Sequence, residues 1–177
     1  MSDAKALNIV LFNPQIPQNT GNIARTCAAT GSRLHLVKPM GFKIDDAKMK
    51  RAGLDYWKFL DVTISESRDD FMERNAGEEM FFFTSKGVKT YTDALYPAGC
   101  FLIFGSETKG IDEDFLKARL DRCVRMPMRE NIRCLNLSNA VAIGTYETLR
   151  QQGFEQLKRA GKFEAEIGPE GESGGLS

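Results

Sequence analysis

Residues 7–37 read LNIVLFNPQIPQNTGNIARTCAATGSRLHLV. Leu7–Phe12 is a continuous apolar run, the pattern of a strand buried on both faces, and Pro14 and Pro17 punctuate it. Asn19 or Thr20 can cap a helix that runs through Ala29, and Gly31 stands where such a helix ends. Ile23 and Cys27 are four apart and share one face of it, while Arg25 points elsewhere. Arg33–Val37 is then a second strand, stopped by Pro39. Strand, helix, strand within thirty-one residues is the βαβ unit of a parallel sheet.

The alternation continues downstream. Asp45–Ala52 reads as an exposed helix carrying Lys48, Lys50 and Arg51, Val62–Ile64 as a short strand, and Ser67–Asn75 as a helix. Met80–Thr84 (MFFFT) and Cys100–Gly105 (CFLIFG) are again uniformly apolar, as central parallel strands are. Asp112–Leu120 opens with acids suited to the positive end of a helix. Arg122–Met128 is a strand, Arg129–Asn136 a polar loop, and Leu137–Gln152 a long helix ended by Gly153. The class this predicts is α/β: an open, mostly parallel sheet with helices on both faces. Binding sites in such sheets lie at the carboxyl ends of the strands. One domain is expected over 1–160, with no internal repeat; 161–177 is Gly- and Glu-rich and is expected to be a disordered tail.

Composition narrows the function. The 177 residues are 42% hydrophobic and 27% charged, and 24 basic residues balance 24 acidic ones. Proteins that coat nucleic acid non-specifically carry a basic excess, so any RNA or DNA contact here must be a local patch. The four cysteines, Cys27, Cys100, Cys123 and Cys134, form no Cys-x-x-Cys pair, and the one histidine, His35, sits in an apolar strand. That spacing holds no zinc site, and a reduced, cytoplasmic protein without a metal is the simpler reading. No stretch approaches the ~20 apolar residues that span a bilayer. No Gly-x-Gly-x-x-Gly occurs, which removes a nicotinamide-type fingerprint.

Three loops after strands remain as carriers of chemistry. Asn19-Thr20-Gly21-Asn22-Ile23-Ala24-Arg25 offers helix-start amides to an anion and a planar guanidinium to a phosphate. Gly105-Ser106-Glu107-Thr108-Lys109-Gly110 lacks the lysine position of a Walker loop, yet Gly105 allows backbone to approach a ligand and Glu107 brings a carboxylate beside it. Arg133-Cys134-Leu135-Asn136-Leu137-Ser138-Asn139-Ala140 enters the last helix, with Ser138 and Asn139 as caps and Arg133 in reach of a phosphate. Each loop alone is equally well explained as a capped turn. Lys50-Arg51 with Tyr56-Trp57 pairs basic and aromatic residues as RNA surfaces do, although a half-buried Trp is the plainer explanation.

Together the loops are specific. NTGNIAR, FGSETKGI and RCLNLSNAVAIGTYE resemble the three motifs of the SPOUT methyltransferases, and within them the small tRNA (cytidine(34)-2′-O)-methyltransferase type. The likeness runs from about Leu7 to Gly153 and takes in RLHLVKPMGF and RAGLDY. It implies a C-terminal trefoil knot, which general chain-path rules would reject. It also implies S-adenosylmethionine as methyl donor, a homodimer whose active site draws on both subunits, and the anticodon stem-loop of tRNA as substrate. Carried over by position, the donor pocket is Phe83, Thr84, Gly105, Glu107, Met126, Cys134 and Leu135. Relatives commonly have serine at the place of Cys134, and often proline and arginine at those of Ser106 and Lys109.

The resemblance assigns Arg25 to activating the ribose 2′-OH together with an RNA phosphate, and Asn19, Ser138 and Asn139 to orienting the loops. Lys109 and Arg133, with Arg25, would hold RNA backbone. Other members often carry an additional RNA-binding domain or arms, so a chain close to the bare catalytic domain suits the wobble-position type. Two alternatives stand beside this: a 2′-O-methyltransferase for another tRNA or rRNA position, and a non-catalytic RNA-binding dimer.

Overall fold

The computed structural model describes residues 5–44, 60–155 and 157–161. The expected helix at Asp45–Ala52, the Tyr56-Trp57 pairing and all but the first residue of the expected tail lie outside them.

Seven strands form one sheet, every pairing parallel: β1 (Asn8–Phe12), β2 (Arg33–Val37), β3 (Val62–Ser65), β4 (Met80–Phe83), β5 (Lys89–Thr90), β6 (Phe101–Phe104) and β7 (Cys123–Arg125). Their order is β3-β2-β1-β6-β4-β7-β5. β1, β4 and β6 are buried at every position, as their unbroken apolar runs require. Residues alternate between two cores. Ile9, Leu11, Phe81, Phe83, Leu102 and Phe104 face one, with Ile23 and Cys27 of α1 (Pro17–Thr30) and Val141 and Leu149 of α4 (Leu137–Gln151). Val10, Phe12, Phe82 and Ile103 face the other, with Phe71 of α2 (Arg68–Arg74) and Leu116 of α3 (Glu113–Lys117). Helices therefore cover both faces.

Several boundaries move, each for a physical reason. α1 starts at Pro17 rather than at Asn19 or Thr20: Pro at the first position has its φ set for a helix and no N–H to leave unsatisfied. Asn19 and Thr20 are buried within the first turn. The expected caps Ser138 and Asn139 receive a cap instead of providing one. Asn136 Oδ1 accepts from Ser138 N at 3.0 Å and from Asn139 N at 3.4 Å. α3 is only five residues long; the chain then tightens, with Arg119 N bonded to Leu116 O at 2.8 Å and a 3-10 turn at Leu120–Arg122. β7 stops at Arg125, short of the expected Met128, two residues before Pro127, which has no ladder donor. Gly31 (φ 68°) and Gly153 (φ 71°) lie in the left-handed region beyond the helix ends, as expected.

His35 is a core residue. Asn8 spends both amide hydrogens on the carbonyls of Ala6 (3.2 Å) and Gly99 (2.9 Å). Its Oδ1 is left to accept from His35 Nε2 at 3.0 Å, which places the imidazole proton on that nitrogen. Burial depresses the His35 pKa to about 4, the nearby Asp61 only partly opposing it.

Candidate active site

The carboxyl ends of β4, β6 and β7 and the start of α4 enclose a cleft of about 760 Å³. That size is in the range of small-molecule sites. All seven residues expected for the donor pocket line it: Phe83 and Thr84 after β4, Gly105 and Glu107 after β6, Met126 after β7, and Cys134 with Leu135 before α4. Asn19, Lys109 and Arg133 line it too. Arg25, Ser138 and Asn139 do not. Arg25 is exposed on α1, away from buried Ile23 and Cys27; Ser138 is buried, and Asn139 is exposed in the first turn of α4.

The floor is aromatic. The Phe83 and Phe104 rings stack at 4.6 Å with 21° between their planes. Gly144 lets α4 sit on them: a Cβ there would stand 3.0 Å from the Phe83 ring. Loop 84–87 is held against β7, since Thr84 N bonds to Val124 O at 3.0 Å and Arg125 Nη1 to Ser85 O at 2.7 Å.

Loop 106–110 closes on itself. Gly110 N donates to Ser106 O at 2.8 Å and Ser106 N to Gly110 O at 3.2 Å. A Cβ on Gly105 would run into the Gly110 carbonyl and Ile111 N, the chain's own backbone. The space a Cβ would need at Gly105 is thus taken by the chain's own backbone, while Gly105 itself lines the cleft.

One hydrogen-bonded chain joins the three motif loops. The Glu107 carboxylate accepts from Gln15 N (2.9 Å), Ile16 N (3.2 Å) and Asn19 Nδ2 (3.0 Å). Asn19 Oδ1 accepts from Asn136 Nδ2 at 3.0 Å, and Asn136 Oδ1 accepts from the Ser138 hydroxyl at 2.6 Å. Glu107 therefore lines the cleft with its charge committed to the entry of α1, where N–H donors and the helix dipole favour an anion. Those bonds tie the entry of α1 to loop 106–110. Asn136 is the joint of the chain, and its place two residues before the candidate cap Ser138 was the sequence signal.

Three cations line the cleft: Lys86, Lys109 and Arg133. Lys86 is paired with Glu113 on the same cleft at 2.7 Å. Neither residue was anticipated, although the Ser-Lys-Gly turn after a central strand was the cue for Lys86. Burial pushes the Cys27 and Cys100 thiols up to about 12, so they are inert at neutral pH, while Cys134 is exposed on the cleft loop. Among the described residues, no group of three His, Cys, Asp or Glu is placed to hold a metal, and no helix is long and apolar enough to cross a membrane.

The model of the SpoU rRNA methylase family matches residues 6–146, a span containing all three loops and every wall of the cleft. This chain belongs to that family. Among SpoU proteins similar to it, a Geobacillus stearothermophilus protein provisionally named a tRNA (cytidine(34)-2′-O)-methyltransferase is 50% identical over 155 residues, 86% of this chain and 99% of that one. The tRNA (cytidine(34)-2′-O)-methyltransferase of Burkholderia ambifaria is 46% identical over 151 residues, 84% of this chain and 97% of its own. A solved structure described by its work on 2′-OH methylation of C/U34 on tRNA superposes with TM-score 0.80 at 41% identity, covering 85% of this chain and 98% of that one. The all-parallel α/β sheet with helices is the SpoU methyltransferase architecture.

Proposed function

We propose that this protein transfers a methyl group from S-adenosylmethionine to the ribose 2′-OH of the wobble nucleotide, cytidine or uridine 34, of tRNA. The observation that carries the reading is the convergence of the three motif loops on one cleft, tied by Glu107, Asn19 and Asn136. The substrate position follows the relatives named above. Residues 1–160 act as one methyltransferase domain in this reading, working in the cytoplasm.

The cleft suits the donor. Phe83, Phe104, Met126 and Leu135 give an apolar wall for a purine, and loops 84–87 and 132–136 present backbone groups to its edges and to the ribose. A backbone contact at Cys134 survives the exchange of serine for cysteine. When bound, the donor supplies a methyl group on a sulfonium, open to in-line attack. The protein's part is to exclude water from that methyl and bring the hydroxyl into line.

Arg25 is assigned to the hydroxyl. Its guanidinium does not act as a base at neutral pH; it stabilises negative charge developing on the 2′-oxygen and grips a neighbouring phosphate with the same fork. Because Arg25 lies outside the lining of its own cleft, we assign it to the cleft of a second subunit. Exposed apolar residues near that cleft and along α4, among them Ile132, Leu135, Ile143 and Tyr146, support such a homodimer. Lys109 and Arg133 hold RNA backbone at the rim. The knotted path of the C-terminal segment is part of this reading and rests on membership of the family.

The test is direct. Purified protein, labelled S-adenosylmethionine and unmodified tRNA should give one 2′-O-methylated nucleotide, at position 34, without added metal. Methylation of rRNA or of another tRNA position would favour the first alternative. RNA binding without donor binding would favour the second.

A further inference from the structure

The carboxylates and cations that line the cleft are not equivalent. Glu107 already accepts from three N–H donors at the α1 entry. Lys109 and Arg133 stand on the loops at the rim, away from any ion pair among the described residues. Lys86 and Glu113 are different: one lines the cleft from the turn after β4 and the other from the start of α3, and they meet at 2.7 Å. Among the described residues they are the one opposite-charge pair lining it.

Their backbones are well anchored. Lys86 N donates to Thr84 Oγ1 at 3.2 Å, and Gly87 N to Thr84 O at 3.2 Å, in a turn that Arg125 clamps through Ser85 O. Glu113 opens α3 directly after Asp112, whose side chain caps that helix by accepting from Phe115 N at 2.9 Å. The side chains themselves are open to solvent, 59% and 65% exposed. An exposed pair of this kind contributes about 0–1 kcal/mol to folding. Redirecting both charges to a ligand is therefore cheap.

Resting on the donor reading above, we propose that Lys86 and Glu113 form the subsite for the amino-acid end of S-adenosylmethionine. An α-amino acid presents a carboxylate and an ammonium on one carbon. Recognising both at once requires a cation and an anion side by side, which is what this pair supplies. Lys86 Nζ donates to the ligand carboxylate, and Glu113 accepts from its ammonium. The two side chains part to admit these groups and exchange one ion pair for two. The nucleoside end then lies toward the aromatic floor of Phe83 and Phe104.

Calorimetry with two ligands tests this on the full-length protein. S-Adenosylhomocysteine carries the amino acid; 5′-methylthioadenosine keeps the nucleoside and sulfur and lacks it. Lys86→Ala and Glu113→Gln should each weaken S-adenosylhomocysteine by about tenfold, the size of one partly solvated charge-assisted hydrogen bond, and leave methylthioadenosine affinity within twofold. Lys86→Arg should bind both ligands nearly as the wild type does. Unchanged S-adenosylhomocysteine affinity in both variants, or an equal loss for the two ligands, overturns the assignment. Wild-type protein that binds neither ligand refutes the donor reading itself, and this subsite with it.

Discussion

The Asn136 side-chain amide donates to Asn19 Oδ1 at 3.0 Å, across 117 residues of chain. Through that one bond the entry of the last helix is fixed to the entry of the first, and Asn19 passes the constraint to Glu107. The coupling is measurable. Asn136→Ala also removes the cap of α4, worth about 0.5–2 kcal/mol. In a double-mutant cycle, Asn19→Ala and Asn136→Ala should fall short of additivity by about 0.5–3 kcal/mol in urea unfolding. Additive losses would mean that the two loops are held independently.

Gly105 is expected to be a folding residue. Because its missing Cβ makes room for the Gly110 carbonyl, even Gly105→Ala must open loop 106–110. A loss of at least about 1–3 kcal/mol is expected, as for overpacking elsewhere. Thermal unfolding should show it without any ligand present. A stable alanine variant that only binds donor poorly would restore the simpler idea that Gly105 makes space for the ligand.

His35 should give the fold an acid-side weakness. Its folded pKa of about 4 lies below the unfolded value of about 6.5. Between those values the unfolded chain binds more protons, so stability rises with pH there and is lost as pH falls from 6.5 toward 4. The loss is on the order of 3 kcal/mol and is complete below pH 4, where both states are protonated. Urea titrations across pH 4–7 should show this slope, and His35→Gln should flatten it. An equal slope in the variant would place the acid sensitivity elsewhere.

Much of the sheet could be read in the sequence because β1, β4 and β6 are buried on both faces, and burial of that kind leaves an unbroken apolar run. β5 escaped because two residues, Lys89 and Thr90, carry no pattern at all. The caps were misplaced because Asn19, Thr20, Ser138 and Asn139 have cap chemistry, and only tertiary contact decides which polar side chain turns inward. The cleft was legible from its loops, since all seven expected donor residues line it. The Lys86–Glu113 pair was not, for it joins a turn after β4 to the start of α3, and no local pattern links them.

Arg25 separates catalysis from grip. Arg25→Lys keeps the charge and loses the planar fork. Single-turnover methylation at saturating protein and donor should fall by about 10²–10³, with donor binding near normal and tRNA binding modestly reduced. A lysine variant within a few-fold of wild type would leave Arg25 a phosphate anchor. Mixing Arg25→Ala subunits with donor-binding-deficient subunits should restore part of the activity if Arg25 serves the partner's cleft. A mixture as inactive as its parents would confine Arg25 to its own subunit.

The wobble assignment is tested most directly by mapping 2′-O-methylated riboses in tRNA from cells with and without this gene. Loss of 2′-O-methylation at position 34 of a subset of tRNAs, regained with the wild-type protein and not with Arg25→Lys, is the result expected. An unchanged position 34, with methylation missing from another tRNA site or from rRNA, would contradict it.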